Sequence, residues 1–355
     1  MQRPRLKRTR ESLTTAAGDI YLLRAGEDSD LLIEQPDAGT RLLLGALDGS
    51  RTTDELEHEF GADRVGDVLG QLSDLRLLDD AADDERVTAR ESARYDRQLR
   101  YFSDVATGPL PPSEYQRRLR EARVLILGLG GLGSWASYAL LCCGVGEVVL
   151  VDHDCVEASN FNRQILYGER DIGRLKTEAA AEALAAFDSH CRLTPVARRI
   201  ESVEAVRELV DGADFVVNGA DWPAHDIERW VNAACFDAGV PFITMSHSPP
   251  AARVGPLYLP GTTGCFECQE QTYRDAYPLY DELVDQRRGR ASEAATLGPA
   301  CAFIGGQVAL ETLHQLTGLF PPATLGVAHI YDLRTMEVSR EPVPRLADCA
   351  VCGGG

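Results

Sequence analysis

"ARVLILGLGGLGSWASYALLCCGVGEVVLVDHD", residues 122–154, reads as strand, glycine-rich turn, helix and second strand. Val124 to Leu127 form a continuous apolar run, the pattern of a strand buried on both faces of a sheet. Gly128, Gly130 and Gly133 fall in a G-x-G-x-x-G pattern between that strand and the helix. Glycines there let the backbone approach a phosphate, and the helix N-terminus adds unpaired N–H groups and the positive end of its dipole. Asp152 closes the second strand at the spacing of a carboxylate that holds ribose hydroxyls. These features mark a nucleotide site without separating NAD from ATP.

Downstream, "ADFVVNGAD" and "VPFITMS" supply further strands with the helical "IERWVNAACFDAG" between them. The main domain is therefore expected to be α/β, a doubly wound Rossmann-like sheet. Shortly after Asp152 comes "SNFNRQIL", residues 159–166, with Lys176 beyond it. A nicotinamide oxidoreductase has no need of Arg163 and Lys176 at this place. A triphosphate attacked at its α-phosphorus does, because fixed cations neutralise the charge that develops on the phosphoryl oxygens and on pyrophosphate. Asn160 and Gln164 offer further hydrogen bonds, and Asp221, at the end of "FVVNGAD", is placed to hold magnesium where a strand end meets the cleft.

Composition sets the outer bounds. A chain of 355 residues with 26% charged and 44% apolar side chains is of ordinary globular type. It has no apolar run long enough to span a bilayer and no secretory signal, so a cytoplasmic location is the expectation. A net charge of −19 argues against nucleic acid as a partner. The start, "MQRPRLKRTR", is the exception, with five basic residues and no acid; it reads as a disordered solubilising tail.

Residues 1–88 form a smaller module. "DIYLLRAGEDSDLLI", residues 19–33, reads as two short strands around an acidic turn. Thr52 and Glu55 have capping-box spacing at the head of a helix carrying Leu56 and Phe60. Val65, Val68, Leu69, Leu72 and Leu75 mark a second helix that ends at the acidic "DDAADDE". A small α+β winged-helix-like domain is the simplest reading. With "LLLGALDGS", this order resembles the PqqD-like leader-peptide recognition domains of peptide-modifying enzymes. Such domains bind a peptide as a strand added to a sheet edge. A generic docking or dimerisation module is the competing reading.

Residues 89–355 carry a second resemblance. "RYDRQL" at 94–99, "GLGGLGS" at 128–134, "DHDCVEASNFNRQIL" at 152–166, "DIGRLKTEAA" at 171–180 and the "CFEC" and "CAVC" pairs follow one another as in the ThiF and MoeB family, which includes the ubiquitin-activating enzymes. The resemblance implies ATP-dependent adenylation of a polypeptide carboxylate, with magnesium, in a homodimer. It implies that Gly128, Gly130, Gly131 and Gly133 lie against the phosphates and Asp152 and Asp154 at the nucleotide, with Gln164 beside them. Asn160, Arg163 and Lys176 would contact the triphosphate, Asp221 would be the metal-binding catalytic carboxylate, and Arg97 would reach the γ-phosphate from the partner subunit. Joined to the peptide module, the pattern is similar to enzymes that activate peptides of the microcin C type.

Cys265, Cys268, Cys349 and Cys352 form two CxxC pairs, a set suited to tetrahedral structural zinc; redox chemistry is the weaker alternative. Cys142, Cys143 and Cys301 are read as packing residues. Gln269–Leu297, the crossover where thioester-forming members of the family carry a reactive Cys, has none, which argues against covalent thioester chemistry. Trp222 stands where the family commonly has Asn, and His247 in "SHSPP" fits either a catalytic base or a hydrogen-bonded loop residue. The reading is thus an enzyme adenylating a ribosomal peptide. A sulfur-carrier activator, a non-catalytic leader-binding partner and a nicotinamide oxidoreductase are the alternatives, in falling order.

Overall fold

The computed structural model describes residues 1–23, 31–288 and 295–353 and divides into two compact units, Met1–Arg117 and Arg118–Gly355. Three pieces of the sequence reading therefore lie outside the described residues: the acidic turn at 24–30, residues 289–294 of the crossover, and the last two glycines.

In the first unit, β1 (Pro4–Leu6) is followed by β2 (Glu11–Thr14), β3 (Ile20–Leu23) and β4 (Leu31–Ile33), which make a three-stranded antiparallel sheet with β3 in the centre. Helices α1 (Ala38–Ala46), α2 (Thr53–Phe60) and α3 (Ala62–Asp74) cover it, and Ile20, Leu22, Leu43, Leu44, Leu56, Val65 and Leu72 form the core. Thr52 and Glu55 make the full capping box at α2, each side chain accepting from the other's backbone N–H. Leu75 departs from the expected stripe: it is 53% exposed. The helix ends at Asp74, Arg76 takes a positive φ of 56°, and Leu77 N–H donates back to the Leu72 carbonyl, so Leu77 takes the core position instead.

The basic N-terminus is not a disordered tail. β1 pairs antiparallel with β5 (Leu78–Asp80), which runs into the acidic stretch where the periodicity predicts only the end of a helix. Opposite charges explain the order. Arg5 pairs with Asp84 at 2.6 Å, Arg8 with Asp96 at 3.0 Å, and the buried Lys7 ammonium donates to the Ser103 carbonyl. The unit continues into α4 (Ala89–Val105) and most of α5 (Pro112–Glu121).

The second unit is built on an eight-stranded sheet. Its elements are β6 (Arg123–Leu127), α6 (Gly131–Cys142), β7 (Glu147–Asp152), α7 (Lys176–Phe187), β8 (Arg192–Ala197), α8 (Val203–Val210), β9 (Phe215–Asn218), α9 (Asp226–Ala238), β10 (Phe242–Ser248), β11 (Ala251–Tyr258), α10 (Phe266–Ala276), α11 (Tyr280–Arg287), α12 (Gly298–Thr317), β12 (Val327–Asp332) and β13 (Glu337–Pro342). The strand order is 13-12-11-10-9-6-7-8, parallel from β8 to β10 and antiparallel beyond. Val124 to Leu127 are fully buried, as a strand covered on both faces must be. The order reverses at β6, which has β7 on one side and β9 on the other, and a crevice at the carboxyl ends of such strands is where open α/β sheets bind ligands.

Candidate functional site

The glycine-rich turn leaves β6 at that reversal point. Gly128 has φ +83°, and a Cβ there would come within 2.8 Å of the Gly219 carbonyl and the Ala220 nitrogen, so the turn requires glycine. A Cβ on Gly133 would overlap the Gly128 carbonyl oxygen, which fixes the close approach of α6 to the strand. Gly130 caps α6 without a side-chain hydrogen bond, so the first-turn N–H groups are not closed off by a capping oxygen.

Asp152 ties the turn to the end of β7: its Oδ2 accepts from Leu129 N–H at 2.7 Å and its Oδ1 from Asp154 N–H at 2.8 Å. Asp154 Oδ2 in turn accepts from Lys176 Nζ at 2.8 Å, and Lys176 opens α7 with its own side chain only 8% exposed. Burial acts to raise the Asp154 carboxyl, but the Lys176 hydrogen bond and charge win and hold it below the usual carboxylate range. Asp152, Asp154 and Lys176, which are separate in sequence, thus form one linked group.

"SNFNRQIL" turns out to be a self-supporting corner. Asn160 is buried; its Oδ1 accepts from Glu157 N–H, and its carbonyl accepts from the N–H groups of Arg163 and Gln164. The Arg163 stem covers Gly131, while its guanidinium donates to the Ser159 carbonyl at 2.8 Å and to Asn162 Oδ1 at 2.9 Å. Trp135 Nε1–H donates to the Arg163 carbonyl, and Tyr167 O–H to the Leu129 carbonyl, which pins the corner to the glycine-rich turn. Gln164 is buried, and among the described residues its Oε1 accepts no hydrogen bond. A buried carbonyl of this kind suits a donor brought by a ligand.

Asp221 is exposed in the segment after β9, beside the glycine-rich turn through the Gly128–Gly219 contact. Arg97 is exposed on α4, in the other compact unit. Sequence reasoning missed Glu228, in the first turn of α9. Its Oε2 is buried without a partner among the described residues, because Arg229 next to it is held by Glu270 through two hydrogen bonds of 2.8 Å. Burial first, then the charges of Glu270 and Asp221, push the Glu228 carboxyl up to about 7. An acid in the first turn of a helix is commonplace, so the sequence held no signal for it.

The four cysteines of the CxxC pairs converge. Their Sγ atoms all lie within 4.8 Å of one another, with Cys265–Cys268 at 3.9 Å, Cys265–Cys349 at 3.5 Å and Cys268–Cys352 at 3.3 Å. A disulfide needs about 2.05 Å, whereas four thiolates about 2.3 Å from one zinc ion sit about 3.8 Å apart. The cluster therefore fits a tetrahedral ion. Leu346 N–H donates to Cys268 Sγ, and Arg345 holds the Cys352 carbonyl. Burial works against ionisation of Cys349, but the N–H groups of Cys352 and Val351 bring its thiol down to about 7.

A ThiF family profile matches residues 95–351. The molybdopterin-synthase adenylyltransferase of Salmonella typhimurium is 33% identical over 269 residues, 74% of this chain and 97% of that protein. The sulfur carrier protein ThiS adenylyltransferase of Escherichia coli is 33% identical over 265 residues, 75% of this chain and 96% of that one. Among solved structures, Escherichia coli MccB with AMPCPP and selenomethionine MccA has a TM-score of 0.76 at 24% identity, covering 99% of this chain and 100% of the other. PaaA in selenomethionine form has a TM-score of 0.74 at 26% identity, covering 96% of this chain and 100% of the other.

Proposed function

The chain belongs to the ThiF family and is an ATP-dependent adenylyltransferase; from that premise we propose that it activates the carboxylate of a ribosomally made peptide. One observation carries the choice of substrate. The similarity to MccB, which has been crystallised with MccA, runs over 99% of this chain and so includes the N-terminal unit, most of which lies outside the family match that begins at residue 95. A sheet with β2 and β4 as edge strands gives that unit a place for a peptide to add as a strand.

In this reading the peptide carboxylate attacks the α-phosphorus of ATP and pyrophosphate leaves. The N–H groups at the head of α6 and the turn from Gly128 to Gly133 hold phosphate oxygens, and Asp152 and Asp154 lie at the ribose end. Lys176 exchanges its bond to Asp154 for a phosphate oxygen, and Arg163 swings from the Ser159 carbonyl to the same charge. Asn160 keeps the corner in shape, and Gln164 Oε1 accepts from the ligand. Asp221 would hold magnesium, which would supply positive charge to the phosphoryl oxygens. Arg97 reaches the site from the second subunit of a homodimer. The four cysteines would hold structural zinc.

Hydroxylamine trapping tests the reading. Incubating enzyme, Mg-ATP and any short peptide encoded beside its gene with hydroxylamine should give a peptide hydroxamate, seen by mass spectrometry as a change at one carboxyl group. ATP consumption with no hydroxamate would contradict it. The 33% identity to the two curated adenylyltransferases favours one second reading, activation of a ubiquitin-like sulfur carrier. A hydroxamate on a Gly-Gly carrier protein, and none on the peptide, would select it.

A further inference from the structure

His247 near the end of β10, Thr296 just before α12 and Cys301 in the first turn of α12 form a hydrogen-bonded row. His247 Nδ1 and Thr296 Oγ1 lie 3.1 Å apart, and Thr296 Oγ1 and Cys301 Sγ 3.3 Å apart. Cys301 is buried against the glycine-rich turn: a Cβ on Gly131 would come within 2.7 Å of its sulfur. A Cβ on Gly298 would come within 2.6 Å of the Asn162 carbonyl oxygen, so the head of α12 also rests on the "SNFNRQIL" corner. The row runs from the nucleotide turn to the carboxyl end of β10, which pairs in parallel with β9, the strand that leads to Asp221.

Burial keeps the Cys301 thiol protonated, with Thr296 and Arg163 acting against it. Either partner of the Thr296–Cys301 pair can donate; the order that leaves the Thr296 hydroxyl free for His247 is the one in which the thiol donates to Thr296 Oγ1. In that order the Thr296 hydroxyl donates to His247 Nδ1. An imidazole that accepts at Nδ1 carries its hydrogen on Nε2. Burial lowers the His247 ring below the usual histidine range, so at neutral pH it donates from Nε2 without carrying charge.

We propose that His247 is a substrate-binding residue, a neutral Nε2–H donor to the carboxylate being activated, with Thr296 and Cys301 as its positioning residues; the proposal rests on the adenylation reading above. One carboxylate oxygen forms the bond to the α-phosphorus, and the bond from that phosphorus to the bridging oxygen breaks. Pyrophosphate leaves with the electron pair. His247 donates to the other carboxylate oxygen throughout and transfers no proton.

The test has a part that needs no substrate. Nitrogen-15 NMR of the imidazoles in the full chain should show His247 as the Nε2–H tautomer, and Thr296→Val should shift it toward a mixture. An Nδ1–H ring in the wild type overturns the proposal. In ATP–pyrophosphate exchange with the peptide encoded beside the gene, His247→Ala should lose on the order of 100-fold in kcat/KM for peptide, with KM for ATP unmoved. His247→Gln, which keeps an N–H near Nε2, should recover most of it. Wild-type exchange in His247→Ala overturns the proposal. No exchange in the wild type removes the adenylation reading and this one with it, and circular dichroism separates lost folding from lost contact.

Discussion

At the residue scale, Asp221 and Glu228 make opposite predictions. Asp221→Asn should abolish adenylation while leaving peptide affinity, read by fluorescence anisotropy, within about twofold; unchanged adenylation removes Asp221 from the mechanism. Glu228 is a stability prediction. Its folded-state value is raised to about 7, above that of an unfolded glutamate, so its contribution is fully present below about pH 4.5 and is lost as pH rises to about 7. Glu228→Gln should therefore be more stable than wild type at pH 8, by about 3 kcal/mol, with the difference vanishing below about pH 4 in urea titrations. The two residues also differ in how far the sequence discloses them. Gly128, Gly133 and Asp152 stand at fixed spacings because a phosphate-binding turn leaves the backbone little choice. Glu228 becomes unusual only because Glu270, far along the chain, takes the neighbouring arginine.

At the element scale, the local signals are the legible ones. The capping box of α2 is written in four consecutive residues and forms as expected, and Thr52→Ala should cost about 1 kcal/mol in chemical denaturation. The pairing of β1 with β5 joins segments more than seventy residues apart, and a run of basic side chains read alone looks like a tail. Arg5 makes the sharper test, since its side chain is 13% exposed and is held by Asp84. Arg5→Glu should destabilise the protein by about 1–2 kcal/mol, and adding Asp84→Arg should restore part of the loss. Leu75 gave way to Leu77 for a related reason: helical periodicity places side chains but does not say at which residue the turn reverses.

At the scale of the whole molecule, the doubly wound class of the sheet was open to inference from alternating apolar runs and helices, whereas its strand order, with the reversal at β6, was not. The cysteine cluster brings the head of α10 against the C-terminal segment. We predict one zinc per chain by elemental analysis, and a lower melting temperature after chelation that zinc restores. On the proposed homodimer, with Arg97 reaching the partner's site, mixing Arg97→Ala with Asp221→Asn chains should give adenylation that neither variant has alone, since a mixed dimer would keep one intact site. The measurement that tests the central claim most directly is ATP–pyrophosphate exchange by the full chain, with and without the short peptide encoded beside its gene. Exchange that appears only with the peptide is the predicted result. Tight peptide binding with no exchange would contradict it.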